Sequence, residues 1–438
     1  MKKKILIIYD DFAPMNNCAA IPNTKVVKYL SRKDLDITVI TKEVPEEMPV
    51  DENLISDEIR ALRIIRVNNS VLYRKTLGAY RRRITDNGIK LKMKAETRPL
   101  KAAAVSFLKN TFFYLRRKDW YHCAVRTAAK ALKKERFDCI YSSYPDLDAH
   151  WLAETLLKKG FSDKWIADFR DPMYYEHHDE HGVGKKKKEQ HRIERKANHI
   201  TVVSEGAIEK FVFPDIPRDK ITYIPNGYDP EDFDFKPCEN ANNVNRFRIF
   251  YAGTLYAGKR DFSVLFRALS ELAQEGTVEL DKVTVEYAGN EWPIMQSFAE
   301  KYDLKSCCYN WGYVTRTQVL DILEEVDFGS VCSHNTKSDK GVVTGKVFEL
   351  LLVRKPIIAV VNGDEPESEL GRIVRKCNAG IVYEEATHEK DYFLFKEWLR
   401  QTYLEKMQSG KVASHLITME RDKYSYETIA DNLFDLMK

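Results

Sequence analysis

Lys346 and Glu349 stand three residues apart in residues 344–356, TGKVFELLLVRKP. On a helix that spacing puts both side chains on one face. The flanking Val347, Phe348, Leu350, Leu351 and Leu352 predict a buried helix over 344–354, then a buried strand over 356–361. Thr344 is the expected N-cap, and Gly345 admits close approach of a backbone or a ligand. Lys346 falls in the first turn, where unpaired amide groups already favour an anion. Glu349 sits inside the apolar run and needs donors, either hydroxyls or a cation. A phosphate at the helix mouth and a ribose diol one turn inward would satisfy both residues. A core helix in which Glu349 pairs with Lys346 or Arg354 fits the same pattern.

Other candidate groups carry less. His177, His178 and His181, with Asp179 and Glu180, fall in a polar, glycine-bearing loop without ligand spacing on a regular element. A flexible loop is the expectation there, and no metal site is expected. The eight cysteines show no metal or redox spacing, which fits reduced thiols in the cytoplasm. The first strand-like segment is interrupted by Asp10 and Asp11, unlike a signal peptide, and no run approaches a membrane-spanning helix.

Charge is unevenly placed. The net charge is only +4, yet residues 74–134 hold eighteen Lys and Arg against Asp86, Glu96 and Asp119. This basic insertion, about 71–134, predicts an anionic neighbour. Within it, residues 99–118 put Leu100, Ala104, Phe107, Leu108, Thr111 and Leu115 on one helical face. Lys101, Lys109, Arg116 and Arg117 fall together on another. Such a helix suits the interface of an anionic membrane, and it equally suits an ordinary surface helix. No nucleic-acid module accompanies the charge, so no nucleic acid is expected as a partner.

At 438 residues the chain exceeds one hydrophobic core, so two domains are expected. Strands are read at 4–9, 36–41, 138–142, 164–168, 199–204 and 220–224, with helices at 24–30, 148–159 and 185–197. A turn at 225–230 and the polar stretch 236–245 form the expected linker. A second series has strands at 246–252, 282–288, 309–313, 327–331, 356–361 and 380–383. Helices at 391–407 and 424–437 close the chain. Continuous apolar strands alternating with helices predict two parallel, doubly wound α/β domains. The expected divisions are 1–235, 246–420 and a C-terminal helix, 421–438, that crosses back to the first domain. No glycine-rich dinucleotide fingerprint follows the first strand, so no nicotinamide or flavin cofactor is expected.

Four stretches now match one family in order. They are IADFRDP at 166–172, Val203–Glu205 with Pro225–Gly227, AGTLYAGKRD at 252–261, and TGKVFELLLVRKP at 344–356. Together they resemble retaining glycosyltransferases of the GT-B architecture, family four (group 1) in the usual sugar-transferase classification. The DFRDP signature is similar to that of a bacterial subset that makes surface polysaccharides. The resemblance implies an α/β fold of two Rossmann-like domains facing across a cleft. It also implies that Gly253 and Thr254 form the first loop of the nucleotide half. Lys259 and Arg260 match the cations that clamp the donor diphosphate, with Arg260 favoured as the inward one. Gly345 and Lys346, with Thr344, match the helix mouth over the diphosphate, and Glu349 matches the carboxylate that holds the ribose hydroxyls.

Arg170 stands where many relatives place a His near the reacting sugar. With Asp168 and Asp171 it reads as a sugar-contacting cluster, or equally as an ion network closing a strand end. Glu205 is the expected cap of a helix, and Asn226 and Gly227 shape a turn. Gly341 departs from the family, where a second Glu lies eight residues before the first.

The implied reaction moves a sugar from a nucleotide diphospho-sugar to a hydroxyl of a glycan or lipid-linked acceptor, with retention and without a metal or bound cofactor. The implied setting is cytoplasmic, peripheral on the inner face of the membrane. Two alternatives are a nucleotide-sugar epimerase of the same architecture and a non-catalytic, membrane-associated scaffold.

Overall fold

The computed structural model describes residues 2–78, 99–133, 135–144, 147–171, 173, 183–234 and 245–438, without side chains at 77–78, 99–110, 113 and 210–211. The histidine loop at 177–181, Pro172, nearly all of the 236–245 linker and residues 79–98 of the basic insertion lie outside them. So do most side chains of the expected membrane-facing stripe.

Two parallel sheets organise the chain. The first joins β1 (Lys3–Ile8), β2 (Leu35–Lys42), β3 (Arg63–Val67), β4 (Cys139–Tyr144), β5 (Trp165–Phe169), β6 (His199–Val202) and β7 (Ile221–Tyr223) in the order β3-β2-β1-β4-β5-β6-β7. The second joins β8 (Phe247–Ala252), β9 (Val283–Ala288), β10 (Cys308–Gly312), β11 (Phe328–His334), β12 (Ile357–Asn362) and β13 (Gly380–Glu384) in the order β10-β9-β8-β11-β12-β13. Every pairing among them is parallel. β1 and β12 carry near-continuous apolar runs without alternation, as strands buried on both faces do. Ile5 to Ile8 and Ile357 to Val361 are all buried.

Most strands fall within a residue or two of the positions read from sequence; β3 was not foreseen. Its RIIRV pattern breaks the apolar run with charge at both ends, and it lies at the sheet edge, where less burial is demanded. The helix expected at 99–118 runs on to Leu132. Trp120, Ala124, Ala128 and Leu132 recur every fourth residue and are buried, so a single apolar stripe carries it forward.

The chain divides into two compact units of a different composition from the simple halves expected. The first comprises 1–203, 212–224 and 430–438; the second comprises 204–211 and 225–429. Residues 204–211 join the second unit because the Glu369 carboxylate accepts the amide N–H groups of Glu205 at 3.1 Å and Gly206 at 3.2 Å. The end of the final helix (Tyr426–Met437) joins the first through an Asp431–Lys33 ion pair, and the Lys438 carbonyl accepts from Lys3. Ser204, not Glu205, caps the Glu205–Phe211 helix, its hydroxyl accepting from Ala207 at 3.1 Å.

Gly380 shows how tightly the second sheet closes. Its φ is +148°, and a Cβ there would stand 2.1 Å from the Ile357 carbonyl oxygen. Gly380→Ala is therefore expected to destabilise the second unit by roughly 1–3 kcal/mol. A shift of the urea midpoint for that unit measures it; an unchanged midpoint contradicts the strain.

Candidate active site of the second unit

Gly253 follows β8 with φ +143°, and its N–H is bonded to the Ala288 carbonyl at 2.9 Å. A Cβ at Gly253 would lie 2.4 Å from Cε and 2.9 Å from Nζ of Lys346, so the lysine lies directly across the glycine. The helix that supplies Lys346 begins at that residue and runs to Val353, one turn shorter than expected. Gly345 holds the N-cap position, and the Thr344 side chain makes no capping bond. The reason is local geometry: the Thr344 and Gly345 carbonyls accept from Val347 at 3.2 Å and Phe348 at 3.1 Å, so a helical turn is already forming before Lys346. Nothing lies within 4 Å of where a Gly345 Cβ would point. Space, not contact, characterises that position.

Lys346 is held in an unfavourable setting for a cation. Burial lowers its pKa, Glu349 opposes that shift, and the nearby Arg260 adds to it. The positive end of the helix dipole works in the same direction. Arg260 itself is only 8 % exposed, whereas Lys259 is exposed. Its guanidinium lies 4.5 Å from the Tyr256 ring centroid and donates from Nη1 to the Thr254 carbonyl at 3.4 Å. Its Nε is buried with no hydrogen-bond partner. A buried charged donor left unmade is costly, so this group is ready for an acceptor from outside the chain.

Glu349 is not fully buried, and Arg316 is its hydrogen-bonded partner. Its side chain is 30 % exposed, and Oε1 accepts from Arg316 Nε at 3.2 Å. Arg316 also reaches Asp232 at 3.0 Å. The helix face carrying Glu349 is turned towards Arg316–Glu325, which explains the tolerated charge.

The loop that presents Arg260 is strained and braced. Tyr256 and Ala257 have φ of 53° and 55°, and Gly258 follows at 87°. Consecutive left-handed residues are costly for L-amino acids. Glu291 offsets that cost by accepting three amide bonds, from Leu255 at 2.5 Å, Tyr256 at 3.0 Å and Ala257 at 2.9 Å. The Ala257 amide foremost, with those of Leu255 and Tyr256, holds the Glu291 carboxyl below its usual range. Asp261, next to Arg260, is fixed in turn: its N–H donates to Asn362 Oδ1 at 2.9 Å. Sequence reading missed Glu291, Arg316 and Asp232. Only the Thr315-x-x-Gln318 capping box gave a signal, and it marks a helix start, not a partner for Glu349.

Gly341 has φ of 76°, and its Cβ would stand 2.7 Å from Ser204 Oγ and 2.9 Å from Gly206 Cα. The chain backbone fills the place where the family resemblance expects a glutamate. That side chain could not be accommodated without moving the Glu205–Phe211 helix.

Arg170 and Asp171 belong to the first unit. Arg170 pairs with the wholly buried Asp168 at 3.0 Å and donates to the Ile224 carbonyl at 2.8 Å. Asp168 also accepts from Ser143 at 2.6 Å and Thr201 at 2.7 Å. This is the ion network closing a strand end; Asp171 is exposed just beyond it. A second cluster, also unforeseen, sets Lys42 3.1 Å from both Asp10 and Asp148. Burial lowers the Lys42 pKa to about 8. Among the described residues no group of side chains could hold a metal ion.

No protein-family profile matches the chain, and no curated protein matches its sequence. Solved structures do resemble it. Anabaena HepE in complex with UDP superposes with a TM-score of 0.63 at 12% identity, over 100% of this chain and 99% of that one. Sucrose-phosphate synthase from Thermosynechococcus elongatus gives 0.57 at 12%, over 99% and 98%. A mutant of S. aureus TarM in complex with fondaparinux, alpha-GlcNAc-glycerol and UDP gives 0.57 at 11%, over 100% of both chains. At such identities the likeness establishes the fold: two Rossmann-like units of GT-B architecture.

Glu291→Ala releases three amide donors and a left-handed turn, and is expected to cost roughly 1–3 kcal/mol in the second unit. The lowered carboxyl pKa gives a pH signature. Stability from Glu291 is present above the ordinary Glu range and is lost as acid titrates through the lowered value. Urea melts of wild type and variant at pH 7 and at pH 3 should therefore converge in acid. A constant gap between them would show that the carboxylate does not brace the loop.

Proposed function

We propose that this chain is a retaining, nucleotide-sugar-dependent glycosyltransferase of the family-four type, acting in cell-surface polysaccharide or glycolipid synthesis. The observation that carries the reading is the buried, unpartnered Nε of Arg260, beside a Lys346 that burial and Arg260 both penalise. A diphosphate placed there would give Arg260 its acceptor and relieve both cations at once. The same cations oppose the charge that grows on the leaving diphosphate as the glycosidic bond breaks. In this reading Glu349, one turn into the helix and partly exposed beside Arg316, would take the ribose hydroxyls. Likeness in fold to HepE, whose structures hold UDP and UDP-glucose, supports a uridine nucleotide as the first donor to try.

No general base is required in this scheme. The donor phosphate takes the acceptor proton, and the protein positions the groups and stabilises charge. Arg170, paired with Asp168 and bonded to the Ile224 carbonyl, holds the strand end.

We extend the proposal to a lipid-linked acceptor reached at an anionic membrane. Asp119 bonds to the Ser70 N–H at 2.8 Å and to Asn69 Nδ2 at 2.9 Å, joining residues 69–75 to the Pro99–Leu132 helix. Around that junction Val71, Leu72, Tyr114 and Leu115 are exposed apolar groups, with Arg74 and Lys75 exposed among them. Apolar insertion with basic flanks suits anionic lipid. Among the described residues no helix is long and apolar enough to cross a membrane, so contact would be peripheral.

Arg260→Ala and Glu349→Ala should each lower transfer by at least about 100-fold, the loss of one charge-stabilising group, with the melting profile retained. Near-normal turnover in either variant would remove the site assignment. Sedimentation with vesicles containing phosphatidylglycerol at physiological salt should retain the wild type. Leu72→Asp should release it, and equal recovery of both in the supernatant would exclude membrane docking.

A further inference from the structure

His334 ends β11 at the same strand ends, and the sequence reading gave it no role. The β11–β12 register sets His334 opposite Asn362. The Asn362 side chain holds Asp261 through Oδ1 to the Asp261 N–H at 2.9 Å, and through Nδ2 to its carbonyl at 3.3 Å. Arg260, next to Asp261 in the chain, is therefore pinned at the end of β12, where its charge acts on His334. The imidazole is 36 % exposed, and its Nε2 lies 3.9 Å from Asp339 Oδ2.

Three charged residues, Arg260, Lys259 and Asp339, act on the ring, and Asp261 adjoins Arg260 in the chain. Arg260 and Lys259 come from the loop after β8, Asp339 from the loop after β11, and Asp261 from the turn pinned by Asn362. Asp261 is engaged in capping, accepting from Ser263 N–H at 2.6 Å. Glu385, at the end of β13, accepts from the Gly363 N–H at 2.8 Å. Burial lowers the pKa of His334; Asp339 opposes this, while Arg260 and Lys259 reinforce it. With no ligand bound, burial first, and then the cations that would receive a diphosphate, disfavour the charged ring.

We propose that His334 takes up one proton from solvent when a nucleotide diphospho-sugar binds, and that the resulting imidazolium donates a hydrogen bond to the diphosphate. The inference rests on the reading of this site as a diphosphate-sugar site. Its physical basis is a reversal of local field. The bound anion cancels Arg260 and Lys259, so the balance around the ring passes to Asp339 and the ligand. Donor affinity then depends on protonation: it is strongest in acid and weakens as pH rises through the bound-state value, by up to about tenfold per pH unit.

The test is isothermal titration calorimetry with UDP-glucose, UDP-GlcNAc, GDP-mannose and dTDP-glucose, none of which titrates near neutral pH. The tightest is repeated at pH 7 in buffers of different ionisation enthalpy. Wild type should take up a measurable fraction of a proton per donor bound, and its dissociation constant should rise with pH. His334→Gln should still bind, with weaker affinity, no proton uptake and a flat pH profile. Uptake unchanged in His334→Gln, or a pH-independent affinity in wild type, overturns the proposal and leaves the transferase reading standing. Failure of wild type to bind any of the four sugars overturns both. The wild-type pH profile decides the matter even where the variant does not fold.

Discussion

Repulsion between cations is the constraint around which the second unit is arranged. Arg260 and Lys346 are brought into each other's field at the ends of parallel strands, in a place where burial already disfavours charge. Such an arrangement does not arise from packing, because apolar residues would fill the space at lower cost. It persists because the surrounding structure over-determines it. Lys346 is placed by a helix whose other face is a run of buried Val, Phe and Leu. Arg260 is placed by a turn that cannot relax without breaking three amide bonds to Glu291 and two to Asn362.

Backbone strain and glycine serve the same end. Gly253 allows the Lys346 side chain to cross within contact of its α-carbon, and any other residue would push the ammonium aside. Tyr256 and Ala257 accept left-handed conformations, and the turn they form carries the inward arginine. Strain concentrated beside a cluster of like charges is a pattern found where binding, not stability, has shaped the chain. Gly341 tells a complementary story. Its contact with Ser204 and Gly206 substitutes backbone packing for the carboxylate that the family resemblance leads one to expect.

In the first unit two buried charge clusters find their partners within the unit. Asp168, with Ser143, Thr201 and Arg170, forms a satisfied network. Lys42 sits between two buried carboxylates. These clusters hold the ends of β1, β2, β4, β5 and β6 together, which is structural work of a kind that sequence spacing cannot distinguish from catalysis. Arg170 illustrates the point: its neighbours in the chain suggested either role, and its partners come from β5 itself and from residue 224.

By itself the sequence determined the two parallel sheets, since fully buried strands read as unbroken apolar runs wherever helices cover both faces. It also determined the apolar Lys346–Val353 helix and the presence of Arg260, Lys346 and Glu349. Tertiary structure alone decided which cation faces inward, that Arg316 pairs with Glu349, and that Glu291 and Asn362 brace the loop. Those partners lie 33 to 101 residues from the groups they bond, on separate elements, and pairing at that range leaves no period or motif in the chain. The same holds for residues 204–211, which join the second unit on the strength of a carboxylate more than 160 positions away. Local pattern reports how each segment is covered; only the folded chain reports what charge each segment meets.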